Sequence, residues 1–167
     1  MKGEPHSSPF FYVKIMETST LKKINYPEKW SQSRFFQMTK KMFECVATHN
    51  YEELSRLCDD DYGIIDINPE GGSEIMRDRL GWENWFKGLF VQLQKMEAET
   101  WSVITQYEEF TTSELSYSVV DFDQFFVHEG KTLKFDVIAT IIWKKVGENH
   151  WQESRYHSSL KKVEEIK

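Results

Sequence analysis

Asp66 is the first side chain in the sequence whose position would suit acid–base chemistry. Residues 62–68 alternate in polarity and are rich in isoleucine, which predicts a strand with Tyr62, Ile64 and Asp66 on one side. A carboxylate in an apolar cup has a raised pKa and can remove a proton from a bound molecule. The alternative is that Asp66 caps the following turn or faces solvent. Asp66 is therefore a candidate base.

His157 is a second candidate for proton transfer. Arg155, His157 and Ser159 alternate onto one face of the last predicted strand. A neutral imidazole near physiological pH can act as an acid or a base. The alternative is a structural histidine that forms a hydrogen bond with a neighbouring hydroxyl or carbonyl group.

Two aspartates interrupt another predicted strand. Asp121 and Asp123 share a face with Tyr117, Val119 and Phe125. Asp121 could enter a cavity as an acid that donates a hydrogen bond to a ligand. A bulge could equally turn both aspartates towards solvent.

The motifs of several large enzyme classes are missing from the sequence. The five histidines show no His-x-x-x-His spacing and the cysteines are not paired, so no metal site is expected. There is no Gly-x-Ser-x-Gly elbow, Walker loop or dinucleotide-binding glycine motif. We therefore expect a protein that works without a cofactor.

The composition is typical of a soluble globular domain. A chain of 167 residues can form one core without a disulfide bond, and the net charge of −6 disfavours nucleic acid as a partner. Aromatic residues make up 15%, which predicts rings that line a pocket or a subunit interface. Cys45 and Cys58 lie in predicted helices, and the apolar run at 10–16 is too short to span a membrane. A cytoplasmic location is expected.

Predicted helices precede predicted strands along the chain. Apolar spacing predicts a helix from Ser31, a short one from Asn50 to about Cys58, and a third with an apolar stripe from Trp82 to Met96. Four strands follow, at about residues 99–110, 114–127, 132–146 and 150–160. This order predicts an α+β fold with the helices on one face of the sheet.

Several short strings carry a resemblance to a known family. They are Asn50-Tyr51-Glu52-Glu53-Leu54, Ile67-Asn68-Pro69-Glu70-Gly71, Ala139-Thr140-Ile141-Ile142-Trp143, and Trp151 followed by Tyr156-His157-Ser158-Ser159. In this order they resemble the nuclear transport factor two-like superfamily, which includes SnoaL-like proteins, ketosteroid isomerase and the association domain of calcium/calmodulin-dependent kinase. The resemblance covers about residues 31–160, which leaves 1–30 as an N-terminal extension and 161–167 as a C-terminal tail.

The resemblance implies a cone-shaped, cystatin-like fold. Three N-terminal helices would pack on the concave face of a strongly bent antiparallel sheet, with a ligand cavity at the open end. Homodimers through the outer sheet face are common in such folds. The fold does not imply one activity, because it hosts many.

The resemblance also bears on individual residues. The general base of ketosteroid isomerase corresponds to Asn68, which cannot accept a proton, so Asp66 would be a shifted base. The cavity arginine of the kinase domain corresponds to Ile141, so an apolar or weakly polar ligand is expected. The expected cavity residues are Tyr62, Asp66, Trp82, Trp85, Phe86, Tyr107, Asp121, Trp143 and His157.

Two functions are compatible with these patterns. One is a small-molecule binding protein or a cofactor-independent isomerase, cyclase or dehydratase, with Asp66 or His157 as the base. The alternative is a non-catalytic dimeric interaction or assembly module with a vestigial cavity. Ile138 and Ile142, on the mixed face of their strand, favour the second.

Overall fold

A computed structural model describes residues 24–68 and 72–166 of the protein. Within these residues the elements are α1 (Glu28–Ser31), α2 (Arg34–Ala47), α3 (Tyr51–Leu57), β1 (Cys58–Ile67), β2 (Ser73–Met76), α4 (Arg79–Lys95), β3 (Glu99–Thr111), β4 (Leu115–His128), β5 (Lys131–Lys145) and β6 (Trp151–Ile166). The predicted α+β class is confirmed. The N-terminal extension falls mostly outside the described residues.

The three longer helices each begin at a side-chain cap. The side-chain oxygens of Ser33, Asn50 and Asp78 each accept a hydrogen bond from a backbone amide in the first turn of the following helix. Such bonds satisfy amide groups that have no partner inside a helix. The predicted Asn50 cap and the short helix behind it are therefore confirmed.

The six strands form one sheet in the order β2-β1-β6-β5-β4-β3. The pairs β3–β4, β4–β5 and β5–β6 are antiparallel hairpins, as predicted from the turns between them. The sheet is nevertheless mixed, because β1 pairs in parallel with β6, with Ile64 opposite Tyr156 and Ile65 opposite His157. Turn residues predict hairpins, but no local sequence signal predicts the pairing of strands that are distant along the chain.

The inner face of β5 forms the centre of the core. Val137, Ala139, Ile141 and Trp143 are buried, as the alternation of this strand predicts. Helix α2 covers this face, and the ring of Phe35 stacks on that of Trp143 with centroids 5.9 Å apart. Aromatic packing therefore holds α2 against the inner face of β5.

Three features were not predicted. The short helix α1 lies in the N-terminal extension, β2 pairs with β1 after the turn at Asn68, and β6 continues to Ile166 through the stretch that we assigned to a C-terminal tail. Each depends on pairing or packing with distant residues, which local periodicity does not report. No helix within the described ranges is long and apolar enough to cross a membrane.

Candidate ligand site

A cavity of about 380 Å³ lies between the helices and the concave face of the sheet. This volume is within the usual range for small-molecule pockets. Most of the lining is apolar, and nine lining residues are aromatic: Phe43, Tyr62, Trp82, Trp85, Phe86, Phe122, Phe126, Phe135 and Tyr156. The polar lining residues are Asp66, Asn68, Thr100, Ser102, Gln124 and Glu153. No lysine, arginine or histidine of the described residues lines the cavity.

The cavity has a buried inner end and a partly exposed outer end. Tyr62 and Glu153 are buried at the inner end. Asn68 and Leu133 are partly exposed and lie near the opposite ends of their strands. A ligand would therefore enter past Asn68 and Leu133 and reach towards Glu153.

Asp66 lies on the cavity wall, on the same side of β1 as Tyr62 and Ile64. One carboxyl oxygen, Oδ1, accepts hydrogen bonds from the Ser158 hydroxyl at 2.5 Å and from the Ile67 backbone amide at 2.9 Å. Burial raises the pKa of Asp66, and these two hydrogen bonds oppose the rise because they favour the ionised form. The other oxygen is left for a ligand, and the side chain can act as a base.

Glu153 is the cavity carboxyl that the sequence did not reveal. It is 0% exposed. Burial, reinforced by the charge of Asp66, raises its pKa from 4.5 to about 8, although hydrogen bonding with Tyr62 and Cys58 acts in the opposite direction. The Cys58 thiol points at Oε2 from 3.8 Å, and Oε1 has no hydrogen-bond partner among the described residues.

A bulge in β6 brings Glu153 inside. Simple alternation with Arg155 and His157 would place Glu153 on the outer face. The pairing with β5 skips one residue, so that Arg155 lies opposite Ile142 and Glu153 lies opposite the buried Trp143. Paired residues share a sheet face, and the bulge therefore reverses the direction of Glu153. No residue in the sequence marks this bulge.

Helix α4 contributes an aromatic wall to the cavity. Trp82, Trp85 and Phe86 line the cavity, at the positions proposed from the apolar stripe of this helix. The ring of Trp82 meets that of Tyr62 edge to face at 5.0 Å. The indole nitrogen of Trp82 is buried without a partner among the described residues.

The strands β3 and β4 contribute a small polar wall. The Ser102 hydroxyl donates a hydrogen bond to the Gln124 side-chain oxygen at 2.6 Å. The Thr100 hydroxyl is buried without a partner in the described part of the chain. These groups offer hydrogen bonds to a ligand across the cavity from Asp66.

His157 and Asp121 lie outside the cavity, on the outer sheet face. His157 is exposed because Tyr156 and Ser158 are the residues of β6 that turn inward. Asp121 forms an ion pair with Lys161 at 2.9 Å, because the odd-numbered residues of β4 face outward in this stretch. The alternation proposed for both strands holds, but it directs these side chains away from the cavity. Neither residue can touch a ligand there.

Tyr107 and Trp143 belong to the solid core and do not line the cavity. The Trp143 indole donates a hydrogen bond to the Ser118 hydroxyl at 3.0 Å, and the same hydroxyl lies 3.1 Å from the Tyr107 hydroxyl. The Tyr107 hydroxyl donates a further bond to Glu109 at 2.6 Å. Helix α2 covers this network, so the large rings here fill space that the sequence assigned to a pocket.

The fold places the chain among proteins with a cystatin-like architecture. It is similar to a protein of this fold from Caulobacter vibrioides, with 13% identity, a TM-score of 0.60, and coverage of 77% of this chain and 87% of that chain. It is also similar to a proposed dehydratase of the nuclear transport factor two-like family from Streptomyces avermitilis, with 12% identity, a TM-score of 0.64, and coverage of 75% and 92%.

A third similar structure is an enzyme, a type 2 hexachlorocyclohexane dehydrochlorinase. The identity is 13%, the TM-score is 0.63, and the match covers 82% of this chain and 89% of that chain. The sequence matches no protein-family model and is not significantly similar to any curated protein. The likeness confirms the suspected nuclear transport factor two-like fold, and at such identities the fold does not assign an activity.

Proposed function

We propose that the protein binds a small, mainly apolar molecule in the cavity and catalyses proton transfer on it without a cofactor, with Asp66 as the base. The observation that carries this proposal is the position of the Asp66 carboxyl on the wall of a largely apolar cavity of about 380 Å³. A carboxylate with a raised pKa in such surroundings is a stronger base than one in water. Isomerisation, cyclisation and dehydration all need such a group.

The proposal can be tested with a neutral probe of carboxylate bases, 5-nitrobenzisoxazole. A base removes the ring C–H proton, the N–O bond breaks, and its electron pair remains on oxygen as a coloured cyanonitrophenolate. We expect Asp66→Asn to lower the rate by a factor of about one hundred or more, the usual contribution of a general base. Asp60→Asn, a matched change at an exposed position of β1, should leave the rate unchanged.

Access to the cavity is tested separately. Leu89 lines the cavity from α4, and Leu89→Trp would fill part of the space. The larger side chain should abolish saturation of the rate with probe concentration while Asp66 remains in place. If the wild-type protein were no faster than Asp66→Asn, or if Leu89→Trp had no effect, the proposed site would be wrong.

A second candidate function, a homodimeric assembly, is favoured by the outer sheet face. Phe110, Tyr117 and Ile142 lie opposite one another on β3, β4 and β5 and are 56%, 46% and 36% exposed. We call this row the outer apolar patch. A contiguous apolar row on a sheet face is typical of a subunit interface. Two buried free thiols fit the reducing environment of the cytoplasm, where such a dimer would form.

Light scattering at micromolar concentration tests the dimer. We expect the wild-type protein to have twice the mass of one chain and Ile142→Lys to have the mass of one chain, because a charge would be buried in the interface. Asn149→Lys, in the turn before β6, is the matched control and should leave the dimer intact. A monomeric wild-type protein would exclude the assembly and leave the ligand proposal untouched.

A further inference from the structure

Glu153 is a buried acid for which the described residues supply no counter-charge. It is 0% exposed, it lines the cavity, and Oε1 has no hydrogen-bond partner among the described residues. Buried carboxyl groups in proteins are normally paired, because an unpaired one loses its hydration without compensation. A buried acid that has an unpartnered oxygen and no basic partner at the inner end of a cavity therefore indicates the kind of ligand that the cavity can receive.

Two basic residues that contact the Cys58 end of β1 are already engaged elsewhere. Arg79 donates hydrogen bonds to the backbone carbonyl of Cys58 at 2.7 Å and pairs with Glu83 at 3.1 Å. Lys144 pairs with Asp59 at 2.7 Å. Neither cation lines the cavity. Since no basic side chain of residues 24–68 and 72–166 lines the cavity, a positive charge at the inner end is one that the ligand can supply.

The groups that face Glu153 all favour a cation. Tyr62 and Cys58 approach from β1 and can only add negative charge on ionisation, as can Tyr156 from β6 itself. Asp66 is close enough for its charge to act on Glu153. The faces of aromatic rings attract cations, and this cavity presents several of them. A neutral ligand would satisfy one hydrogen bond, whereas an ammonium group would also balance the charge of the carboxylate form of Glu153.

We propose that the ligand carries a basic nitrogen, held as an ammonium group at the inner end of the cavity by Glu153, with Asp66 and the surrounding rings adding to the attraction. This inference rests on the proposed function, of which it specifies the ligand class. The apolar body of the ligand fills the cavity towards Leu133, and an anionic ligand is excluded because it would meet two acids and no base.

Binding has a proton balance that can be measured. Glu153 is mostly neutral in the free protein at neutral pH, because its pKa is about 8. An ammonium ion that binds to the carboxylate form releases this proton to solvent, so affinity rises as pH rises towards 8. Cys58, Tyr62 and Tyr156 also face Glu153, and they stay neutral in this range because burial raises their pKa values. Asp66 acts on Glu153 through its charge, and its own ionisation would make amine affinity rise with pH in the same direction.

Three probes of one shape test the inference on the full chain by calorimetry: 2-naphthylmethylamine, 2-naphthylmethanol and 2-naphthoate. We expect the amine to bind at least about tenfold more tightly than the alcohol, and the carboxylate to show no binding. Amine affinity should rise by up to about fiftyfold between about pH 6 and about pH 8, because the ionised fraction of Glu153 rises by that factor, whereas alcohol affinity should stay constant.

Glu153→Gln keeps the shape of the side chain and removes its charge. It should abolish the amine preference while still binding the alcohol, whereas the exposed Glu108→Gln on β3 should preserve the amine preference. Alcohol binding to Glu153→Gln shows that the variant is folded. Equal binding of amine and alcohol to the wild-type protein would overturn the cation inference and leave the proposed function standing. No binding of any probe, including the alcohol, would overturn both.

Discussion

The free energy of unfolding should depend on pH through Glu153. In the folded protein burial raises the pKa of this carboxyl from 4.5 to about 8. Between these values the folded state holds a proton that the unfolded state has lost, so stability falls as pH rises. Each pH unit changes the free energy of unfolding by roughly 1.4 kcal/mol, and the whole interval corresponds to about 5 kcal/mol.

Glu153→Gln removes this dependence because an amide does not titrate. The variant loses the hydrogen bond that the Cys58 thiol donates, so below pH 5 it should be slightly less stable than the wild-type protein. Between about pH 5 and about pH 8 the wild-type protein should lose about 4 kcal/mol relative to the variant. Near pH 8 the variant should therefore be the more stable of the two.

Urea denaturation at a series of pH values measures the effect. The difference in the free energy of unfolding between wild type and Glu153→Gln isolates this carboxyl, since the other titrating groups are common to both proteins. Glu108→Gln should give a curve parallel to that of the wild type. A difference between wild type and Glu153→Gln that stays constant over the pH range would mean that Glu153 titrates normally, and would refute its burial without a counter-charge.

Two further perturbations act on Asp66 and on the core. Ser158→Ala removes the hydroxyl that donates to the Asp66 carboxylate, so the pKa of Asp66 rises further and the midpoint of the pH–rate profile with 5-nitrobenzisoxazole should move to higher pH. Trp143→Ala leaves a void beside Phe35 and removes a bond to Ser118, and thermal or urea unfolding should show a loss of about 3–5 kcal/mol.

The elements that could be predicted are those with a local signal. The alternation of Val137 to Trp143 identified the buried face of β5, and the Asn50 cap identified the start of α3. On the regular part of β1, the same periodicity put Asp66 on the side of Tyr62 and Ile64, where the cavity lies. In each case neighbours along the chain determine the direction of the side chain.

The rest could not be predicted because it depends on the register between strands. Alternation groups Arg155 with His157 correctly but does not say which face points inward. The bulge before Arg155 turns the side chain of Glu153 to the inner face of the sheet. Only the pairing of Glu153 with Trp143 shows that this bulge is present. Tyr107 and Trp143 were placed in the cavity because aromatic residues suit both pockets and cores. Here they belong to the core, because α2 packs over them.

The distribution of charge over the sheet bears on why Glu153 is unpaired. On the outer face, acids have basic partners: Lys161 pairs with Asp121 and Asp136, and Lys134 pairs with Asp123 and Glu164. Such exposed pairs add little stability, but each of these four acids has a lysine beside it.

On the concave face, by contrast, the acids lack basic partners among the described residues. Glu153 and Asp66 are the carboxyl groups that line the cavity, and among the described residues neither has a basic partner, although burial makes a missing partner far more costly there than on the outer face. A sheet that merely tolerated an acid in its core would be more stable with an apolar residue of the same size at that position. The acid at position 153 is therefore best explained by a ligand that supplies a positive charge to its carboxylate form, and that ligand would also lower the pKa of Glu153 on binding.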